Sequence, residues 1–298
     1  IEVLCAFCYE VYKNGIFGKN YILNRFFNIK RVLGMHRSII VLKKGEMLMG
    51  NKKNRKDKLC KRKDGRYVFV ALDHGMTMGS FGHLDDMENL IVSLDKAKVD
   101  AIIVHKGIMQ KMLERGVSLE NAEWIVHLSA STNISENCDA KKIVCSVREA
   151  IQLGATGVSV HVNVGTSGES DMLEQLGQVS YECNEWGIPL LCMIYDKSKN
   201  NVGKQLVRIA TEFGADFVKV KYVENKFDEI SNKYIPILFA GGEAEKNMDE
   251  YLEHIQTIVE KYGDGVCIGR NIIESEDPQK IAEKICEVVH KKSVCEEN

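Results

Sequence analysis

Long apolar runs, a secretory signal and a strong net charge are all missing from this 298-residue sequence. No apolar stretch approaches the roughly 20 residues that a membrane-spanning helix requires, so a membrane protein is not expected. The first 45 residues have no charged-then-apolar order and no small-residue cleavage site, which argues against secretion. A formal net charge of -2 gives no overall attraction to nucleic acid or to an anionic membrane.

Regular cysteine spacing is also missing. The chain has ten cysteines, and apart from Cys5 and Cys8 none of them forms a CxxC pair. Scattered thiols of this kind are typical of a reducing compartment, where most of them act as small buried apolar residues. The sequence therefore predicts a cytoplasmic globular protein without a disulfide framework.

The first 48 residues differ in composition from the rest of the chain, being rich in Phe, Tyr, Asn, Lys and Ile without a clear period. The run 43–46 (KKGE) would be encoded by purine-rich codons two codons before Met49, as a translated ribosome-binding site would be. We therefore expect residues 1–48 to be a non-native or disordered extension. A genuine N-terminal extension is the alternative, and the intact mass of the natural protein distinguishes the two.

Residues 49–66 form a basic lead-in segment with nine Lys or Arg against two Asp. Both a nucleic-acid-binding arm and a solvated basic helix before the first strand are compatible with this charge. The helix is favoured because no aromatic side chains interleave with the charges to stack on bases.

From Tyr67 onward, short apolar runs alternate with longer amphipathic ones. The eight apolar runs are rich in Val and Ile, which is typical of parallel strands covered on both faces. They are Tyr67–Leu72, Ala101–Val104, Trp124–Leu128, Gly157–Val162, Pro189–Tyr195, Phe217–Tyr222, Pro236–Ala240 and Gly265–Ile268. With no internal linker, they predict a single α/β domain, a (β/α)8 TIM barrel over residues 67–292, followed by a C-terminal tail at 293–298.

Helix-period segments lie between the strands, and several carry start or stop signals. Asp277-Pro278 places an N-cap before a proline in the first helical turn. Four glycines follow helical runs where a left-handed residue ends a helix: Gly154, Gly187, Gly214 and Gly263. The predicted helices include 85–97, 141–153, 169–186, 200–213, 244–262 and 277–290.

In such a barrel the chemistry lies at the carboxyl ends of the strands. Lys219 and Lys221 are two residues apart on strand 6 and share one face with Phe217. A lysine buried there has a lowered pKa, and its neutral amine can attack a carbonyl to form a Schiff base. The alternative is that one lysine points inward and the other is solvated at the rim.

Two further residues could move protons in such chemistry. Tyr195 ends strand 5 beside strand 6 and is a candidate general acid/base, although packing with its hydroxyl at the rim would also explain it. Asp73 directly follows the apolar run of strand 1, where packing does not account for a carboxylate. It is a candidate to orient a substrate hydroxyl or to assist proton transfer.

The ends of the last two strands indicate a phosphate site. Gly241-Gly242 and Gly269-Arg270 lie where barrels often bind phosphate. Glycine lets backbone amides approach the anion, and a guanidinium can pair with it. Glycines that serve tight turns alone are the alternative.

Three histidines, His105, His127 and His161, end neighbouring strands and could hold a metal ion, as in a metal-dependent aldolase or hydrolase. Polar contacts with a hydroxylated substrate explain them as well, together with His74 and Asn163 at the ends of strands 1 and 4. Schiff-base chemistry needs neither a metal nor a cofactor, so we expect none.

Eight stretches of the barrel resemble the archaeal-type class I (Schiff-base) fructose-bisphosphate aldolase family: ALDHG, HKGI, VHLSAST, VSVHVNVG, WGIPLLCMIY, GADFVKVKY, FAGG and GVCIGRNI. The resemblance covers about Met49 to His290. HVNVG and VHLS are more similar to its 2-amino-3,7-dideoxy-D-threo-hept-6-ulosonate synthase branch than to its fructose-bisphosphate branch.

The resemblance implies a transaldolase-like reaction. A ketose phosphate (6-deoxy-5-ketofructose 1-phosphate) would be bound as an imine and cleaved, and the retained fragment would be joined to L-aspartate semialdehyde. The product would feed an alternative route to 3-dehydroquinate and aromatic amino acids. The implied partners are phosphorylated ketose and aldehyde substrates and further copies of the chain in a homo-oligomer, with no nucleic acid and no membrane.

The resemblance also implies roles for individual residues. Lys219 rather than Lys221 would form the Schiff base, with Tyr195 as the acid/base and Asp73 assisting. Gly241, Gly242, Gly269 and Arg270 would hold the phosphate. Class I fructose-bisphosphate aldolase, a metal-dependent aldolase and a non-catalytic sugar-phosphate-binding barrel are the alternatives.

The sequence departs from the family pattern at three places that bear on the substrate. Asp196 follows the strand 5 tyrosine where a proline and a basic residue are expected, and Lys221 stands where a small hydroxyl residue is usual. Glu243 follows the glycine pair, where an acid would repel a phosphate.

Overall fold

Eight parallel strands close into a barrel in the computed structural model, which describes residues 51–62, 64–198, 200, 202–223, 234–243, 245 and 247–290. In chain order the barrel strands are β1 Tyr67–Ala71, β2 Ala101–His105, β3 Glu123–His127, β4 Gly157–Val164, β5 Leu190–Asp196, β6 Phe217–Lys221, β7 Ile237–Ala240 and β8 Gly265–Ile268. Each strand pairs with the next, and β8 closes on β1. The predicted (β/α)8 barrel is confirmed, whereas the expectations for residues 1–48 and 293–298 lie outside the described residues.

Helices connect the strands and cover the outside of the barrel. From residue 64 onward they are α1 His74–Met78, α2 Met87–Lys96, α3 Lys106–Glu114, α4 Val147–Gln152, α5 Glu169–Trp186, α6 Gly203–Glu212, α7 Met248–Lys261, α8 Arg270–Ile273 and α9 Pro278–Val289, with a 3₁₀ turn at Gly82–Asp86. None of the described helices combines the length and the apolarity needed to cross a bilayer.

The strands read as continuous apolar runs because both of their faces are buried. Along β1 the outward side chains Val68 and Val70 belong to the core between strands and helices. Inward-facing Tyr67 and Phe69 meet Phe217 of β6 edge to face, with ring centroids 5.1 and 5.6 Å from that of Phe217. The barrel interior is therefore filled by side chains.

An aspartate before each of three even-numbered strands ties that strand to its predecessor. Each carboxylate accepts a hydrogen bond from a backbone N–H at the start of the preceding strand. The pairs are Asp100 with Val68 at 2.7 Å, Asp216 with Leu190 at 3.0 Å and Asp264 with Ile237 at 2.8 Å. These bonds satisfy strand-end donors at the amino end of the barrel and help to fix the strand register.

The basic lead-in segment packs against the same end of the barrel. Residues 51–58 are helical, as predicted. The expectation that this helix is solvated is wrong for Lys52, which is buried with its Nζ 2.7 Å from both Asp216 Oδ2 and Asn184 Oδ1. Leu59 is 1% exposed and joins the cluster that fills the barrel. At least part of this segment therefore stabilises the barrel.

Replacing Asp216 with Ala should lower the free energy of unfolding by about 3 kcal/mol, because it strands the buried Lys52 ammonium and removes an acceptor from β5. Asp57 is exposed and serves as the control position. Urea denaturation of both variants measures the effect. A loss no larger for Asp216→Ala than for Asp57→Ala would contradict this account.

Two local expectations are wrong for identifiable reasons. The predicted helix 141–153 begins only at Val147, because Lys142–Ile143 pairs antiparallel with Ser129–Ala130. The start of α4 is set by Ser146, whose side chain accepts from the Glu149 backbone N–H at 3.1 Å. The segment before α4 is therefore free to fold over the end of the barrel.

Three of the four predicted helix-ending glycines have left-handed backbones, with φ of +96° at Gly154, +61° at Gly187 and +80° at Gly214. Gly263 does not, so the prediction is wrong there. A Cβ at Gly263 would lie 2.7 Å from the Phe239 ring, so this glycine provides room for a core side chain instead of a turn.

Candidate active site

Strand alternation brings the polar residues that follow the barrel core into one site. Ala71 faces inward at the end of β1 and Asp73 follows two residues later, and on β6 Phe217 is followed in the same way by Lys219. Lys219 pairs in register with Met193 of β5 and Leu238 of β7, both of which line the interior. The last apolar layer is thus followed by a ring of polar side chains at the mouth.

Lys219 lies at the centre of this ring. It is 6% exposed, whereas Lys221 on the same strand is exposed at the rim. The sequence left open whether both lysines point into the barrel, and the structure has only one of them inside. The Lys219 ammonium lies beside the Tyr195 hydroxyl and the Cys267 thiol, and each of the three groups shifts the pKa of its neighbours. Cys267 was missed from the sequence, because its strand, β8, does not neighbour β6.

Asp73 supplies the negative charge of the site. Burial opposes ionisation of its carboxyl, but His127, His74 and Lys219 outweigh that cost and hold the pKa of Asp73 well below its usual range. Its Oδ2 lies 3.7 Å from His127 Nε2. Its Oδ1 is buried and has no hydrogen-bond partner in the described part of the chain. One carboxylate oxygen is therefore available to a bound molecule.

The charge state of Lys219 differs from the sequence-based expectation. Burial opposes its charge, but contacts with Cys267, Tyr195 and Asp73 favour it, and the pKa of Lys219 lies above its ordinary value. This direction is opposite to the predicted lowering, which is therefore wrong. Burial raises the pKa of both Cys267 and Tyr195, so these two are neutral near pH 7 and Asp73 is the anion that balances Lys219. The amine must therefore lose a proton when a carbonyl arrives.

The histidines of the mouth are held by neighbouring polar groups. His127 Nδ1 lies 2.8 Å from Ser159 Oγ, and His161 Nε2 lies 2.9 Å from Asn163 Oδ1. Asn163, predicted to contact substrate, is 1% exposed, and its amide donates to the Asp139 carbonyl at 2.7 Å. Within the described ranges, no three His, Cys, Asp or Glu side chains converge on a possible metal position.

These histidines should make the protein acid-sensitive. Burial lowers the pKa of His127 to about 4 and of His161 to about 3. The unfolded chain takes up protons at both positions below pH 6.5, whereas the folded chain does not, so protonation favours unfolding. The free energy of unfolding should therefore fall between pH 6.5 and pH 4, by about 3 kcal/mol for each histidine.

Urea denaturation across this pH range tests the expectation. His161→Gln should remove its share of the slope, whereas His254→Gln, at an exposed position, should leave the slope unchanged. A wild-type stability that does not change between pH 6.5 and pH 4 would contradict the assignment of neutral buried histidines.

The ends of β7 and β8 form a concave backbone surface. Gly241 has no room for a side chain, since a Cβ would lie 2.9 Å from Ile268, and Gly242 has a φ of +76°. At Gly269 a Cβ would collide with the His74 ring. Half-buried Arg270 directly follows Gly269 and begins α8.

Asn271, missed from the sequence as a site residue, shapes this surface. It is 3% exposed, and its Nδ2 donates to the Gly241 and Glu243 carbonyls, both at 2.9 Å. Its Oδ1 accepts from the Glu245 backbone N–H at 2.8 Å. These bonds fix the loop after β7, while the Glu243 residue itself is exposed. An inward-facing asparagine directly after a Gly-Arg pair is the signal that could have indicated this role.

A second lysine, Lys141, was also missed from the sequence because it fell within a predicted helix. It is 7% exposed, and its Nζ donates to Ser131 Oγ at 2.6 Å. Its charge lowers the pKa values of His105, His127 and His161, so its ammonium lies on their side of the mouth.

A family model described as DeoC/LacD family aldolase matches residues 67–275, which span β1 to the end of α8. The chain belongs to the DeoC/LacD aldolase family. The family predicted from the sequence is confirmed, and the protein is a lysine Schiff-base-forming aldolase.

Named relatives lie close to this aldolase. It is 36% identical over 232 residues to 2-amino-3,7-dideoxy-D-threo-hept-6-ulosonate synthase 1 of Archaeoglobus fulgidus, with 76% of this chain and 87% of that protein covered. It is 32% identical over 241 residues to 2-amino-4,5-dihydroxy-6-oxo-7-(phosphonooxy)heptanoate synthase of Streptomyces griseus, with 76% and 85% covered. A solved Schiff-base-forming fructose-1,6-bisphosphate aldolase matches with a TM-score of 0.67 and 25% identity, covering 79% of this chain and 100% of that one.

Proposed function

We propose that this aldolase joins a fragment of a phosphorylated ketose to L-aspartate semialdehyde, with Lys219 as the Schiff-base residue. The observation that carries the proposal is the buried Lys219 amine in contact with Tyr195 and balanced by the Asp73 carboxylate. The names of the two relatives support the acceptor, since both describe a seven-carbon 2-amino acid with a ketone at carbon 6. A four-carbon amino-acid aldehyde joined to a three-carbon ketone fragment has this skeleton.

The donor binds first, with its phosphate on the backbone surface of Gly241, Gly242 and Gly269 and beside Arg270. Backbone N–H groups and a guanidinium are suitable partners for a phosphate. Asn271 holds the loop in shape, and His74, which lies against Gly269, closes the side towards β1. The role of these residues is to bring the donor ketone to Lys219 Nζ.

Imine formation then uses the charges already present. As Lys219 Nζ adds to the ketone carbon, one of its protons passes through Asp73 to the carbonyl oxygen. A second amine proton passes in the same way to the hydroxyl of the resulting carbinolamine, which leaves as water. The product is an iminium, which the Asp73 carboxylate, again an anion, stabilises. A positively charged nitrogen next to the scissile region is what allows a carbon–carbon bond to break at neutral pH.

Cleavage and joining are the same step run in opposite directions. Tyr195 takes the proton of the reacting hydroxyl as the carbon–carbon bond breaks, and the bonding electrons move onto the iminium to give an enamine. The aldehyde fragment released by this cleavage leaves the site, and the acceptor aldehyde takes its place. The enamine carbon attacks the aldehyde carbon of the acceptor, and the new alkoxide is protonated. Water then hydrolyses the imine and frees Lys219. The product would enter the route to 3-dehydroquinate and aromatic amino acids.

Incubation with L-aspartate semialdehyde and either 6-deoxy-5-ketofructose 1-phosphate or dihydroxyacetone phosphate tests the proposal by mass spectrometry of the products. We expect a seven-carbon 2-amino ketose acid that is missing when either substrate is omitted. Cleavage of fructose 1,6-bisphosphate without use of aspartate semialdehyde would instead favour the second candidate function. That candidate is supported by the match to solved fructose-1,6-bisphosphate aldolases.

A further inference from the structure

The site has a cation that the Schiff-base steps do not use. Lys141 is buried and lies on the segment between β3 and α4. It is neither one of the groups beside Lys219 nor part of the glycine-lined surface after β7 and β8. A buried lysine is costly unless its ammonium meets an anion or strong acceptors. Ser131 Oγ, a neutral hydroxyl, accepts its hydrogen bond at 2.6 Å. In the part of the chain that the structure describes, no carboxylate forms an ion pair with it.

The surrounding contacts hold Lys141 over the mouth. The backbone carbonyl of Asp139, two residues before it, accepts from the amide of Asn163 at the end of β4. Ser131, which receives its ammonium, is fixed from the other side, because the Thr77 hydroxyl of α1 donates to the Ser131 carbonyl at 3.1 Å. The Lys141 side chain therefore reaches from the end of β4 towards the helix that follows Asp73.

The nearby acids are already engaged elsewhere. Asp139 forms an ion pair with Lys197 at 2.7 Å, and Asp73 is the counter-charge of Lys219. Burial lowers the pKa of Lys141 although the charges of Asp73 and Asp139 act in the opposite direction, in keeping with an incompletely compensated charge. The charge of Lys141 acts in turn on His105, His127 and His161, and burial keeps these rings neutral near pH 7. The surroundings of the Lys141 ammonium can therefore accept one negative charge.

Around the barrel, β7 and β8 lie on one side of β6, the strand of Lys219, and β4, β3 and β2 lie on the other. Arg270 follows β8, whereas Lys141 faces the histidines of β2, β3 and β4. The phosphonooxy heptanoate named for the Streptomyces relative has a matching pattern: a phosphate on carbon 7, a ketone on carbon 6 and a carboxylate on carbon 1. With the ketone at Lys219, the two anionic ends of such a molecule extend in opposite directions.

We propose that Lys141 is the carboxylate-binding residue of the acceptor subsite, so that the enzyme selects an aldehyde carrying a carboxylate. This inference rests on the proposed function. It adds that Lys141 is the residue through which the enzyme requires an acceptor with a negative charge. Ser131 positions the ammonium before the acceptor binds. The carboxylate then supplies the missing anion through a charge-assisted hydrogen bond.

The test compares Lys141→Met and Lys141→Arg with Lys142→Met. Lys142 is the adjacent residue, and it is exposed and paired with Asp171 at 2.6 Å, so it controls for the loss of a lysine from this segment. Lys141→Met should raise KM for L-aspartate semialdehyde roughly tenfold to hundredfold, the usual effect of losing a hydrogen bond to a charged group. It should leave kcat/KM for propanal unchanged. Lys141→Arg should recover part of the loss, and Lys142→Met should match the wild type.

A measurement on the wild type alone covers the case in which Lys141→Met does not fold. The methyl ester of L-aspartate semialdehyde has no carboxylate charge, and its kcat/KM should fall by a similar factor. Equal turnover of ester and acid would overturn the inference, as would an unchanged KM or an equal loss with propanal in Lys141→Met. If the wild type forms an imine with the donor but never uses aspartate semialdehyde, the proposed function itself fails. If it uses aspartate semialdehyde without any preference for the carboxylate, only the role of Lys141 fails.

Discussion

Lys219→Met should lower kcat by on the order of 10⁴-fold or more, since removing a covalent nucleophile has an effect of that size. Methionine fills nearly the same volume inside the barrel, so a lost amine, and not a cavity, accounts for the result. Lys219→Arg should be as inactive, because a guanidinium keeps the charge beside Asp73 but is not deprotonated to attack a ketone.

Lys221→Met is the matched control for this experiment. Lys221 is on the same strand and the same face, two residues further along, but it is exposed at the rim. Its kcat should stay close to that of the wild type. A large loss in Lys221→Met together with a modest loss in Lys219→Met would contradict the assignment, because it would move the Schiff base to the rim.

Tyr195→Phe should lower kcat by roughly 10²- to 10⁴-fold, the range typical of a general acid/base. The ring keeps its packing against His161, with centroids 4.9 Å apart, so the variant removes only the hydroxyl. The Lys219 amine remains, so an imine with the donor should still form and should be trapped by borohydride. The loss is therefore expected in carbon–carbon cleavage and joining, with chemistry up to the imine retained.

Tyr181→Phe, at a tyrosine that is 69% exposed on α5, provides the comparison for hydroxyl removal away from the mouth. Stopped-flow mixing of the enzyme with the donor measures imine formation, and product analysis measures turnover. If Tyr195→Phe failed to form the imine yet processed a preformed one normally, Tyr195 would serve dehydration instead of cleavage.

Much of the barrel could be predicted from the sequence because its strands obey a simple rule. Runs such as Tyr67–Leu72 are apolar on both faces, and alternation from the inward-facing Phe217 places Lys219 on the inner face of β6. The same rule could not decide between Lys219 and Lys221, since both lie on the inward face. The two lysines differ in how deep they lie in the barrel: Lys219 is buried and Lys221 is at the rim. This difference depends on where β6 reaches the rim.

The charges of the site were harder to predict. The sign of the pKa shift of Lys219 depends on whether burial or Asp73 and its neighbours dominate, and that balance needs the positions of strands far apart in the chain. The contact with Cys267 depends in the same way on barrel closure. Periodicity carries no information on such contacts.

The path of the segment between β3 and α4 was beyond sequence reasoning for a different reason. Residues 141–153 have a helical period, but two residues in this stretch pair with the end of the β3 region instead. This short pairing and the Ser146 cap move Lys141 from a predicted helix surface to the mouth of the barrel. The local propensity was overridden by tertiary contacts.

Borohydride trapping tests the central claim most directly. The protein is incubated with dihydroxyacetone phosphate or 6-deoxy-5-ketofructose 1-phosphate, reduced with sodium borohydride, digested and analysed by peptide mass spectrometry. The account predicts one reduced adduct, on the peptide that contains Lys219 and at that residue. A folded sample that gives no adduct with either donor, or an adduct on Lys221 or Lys141 instead, would contradict it.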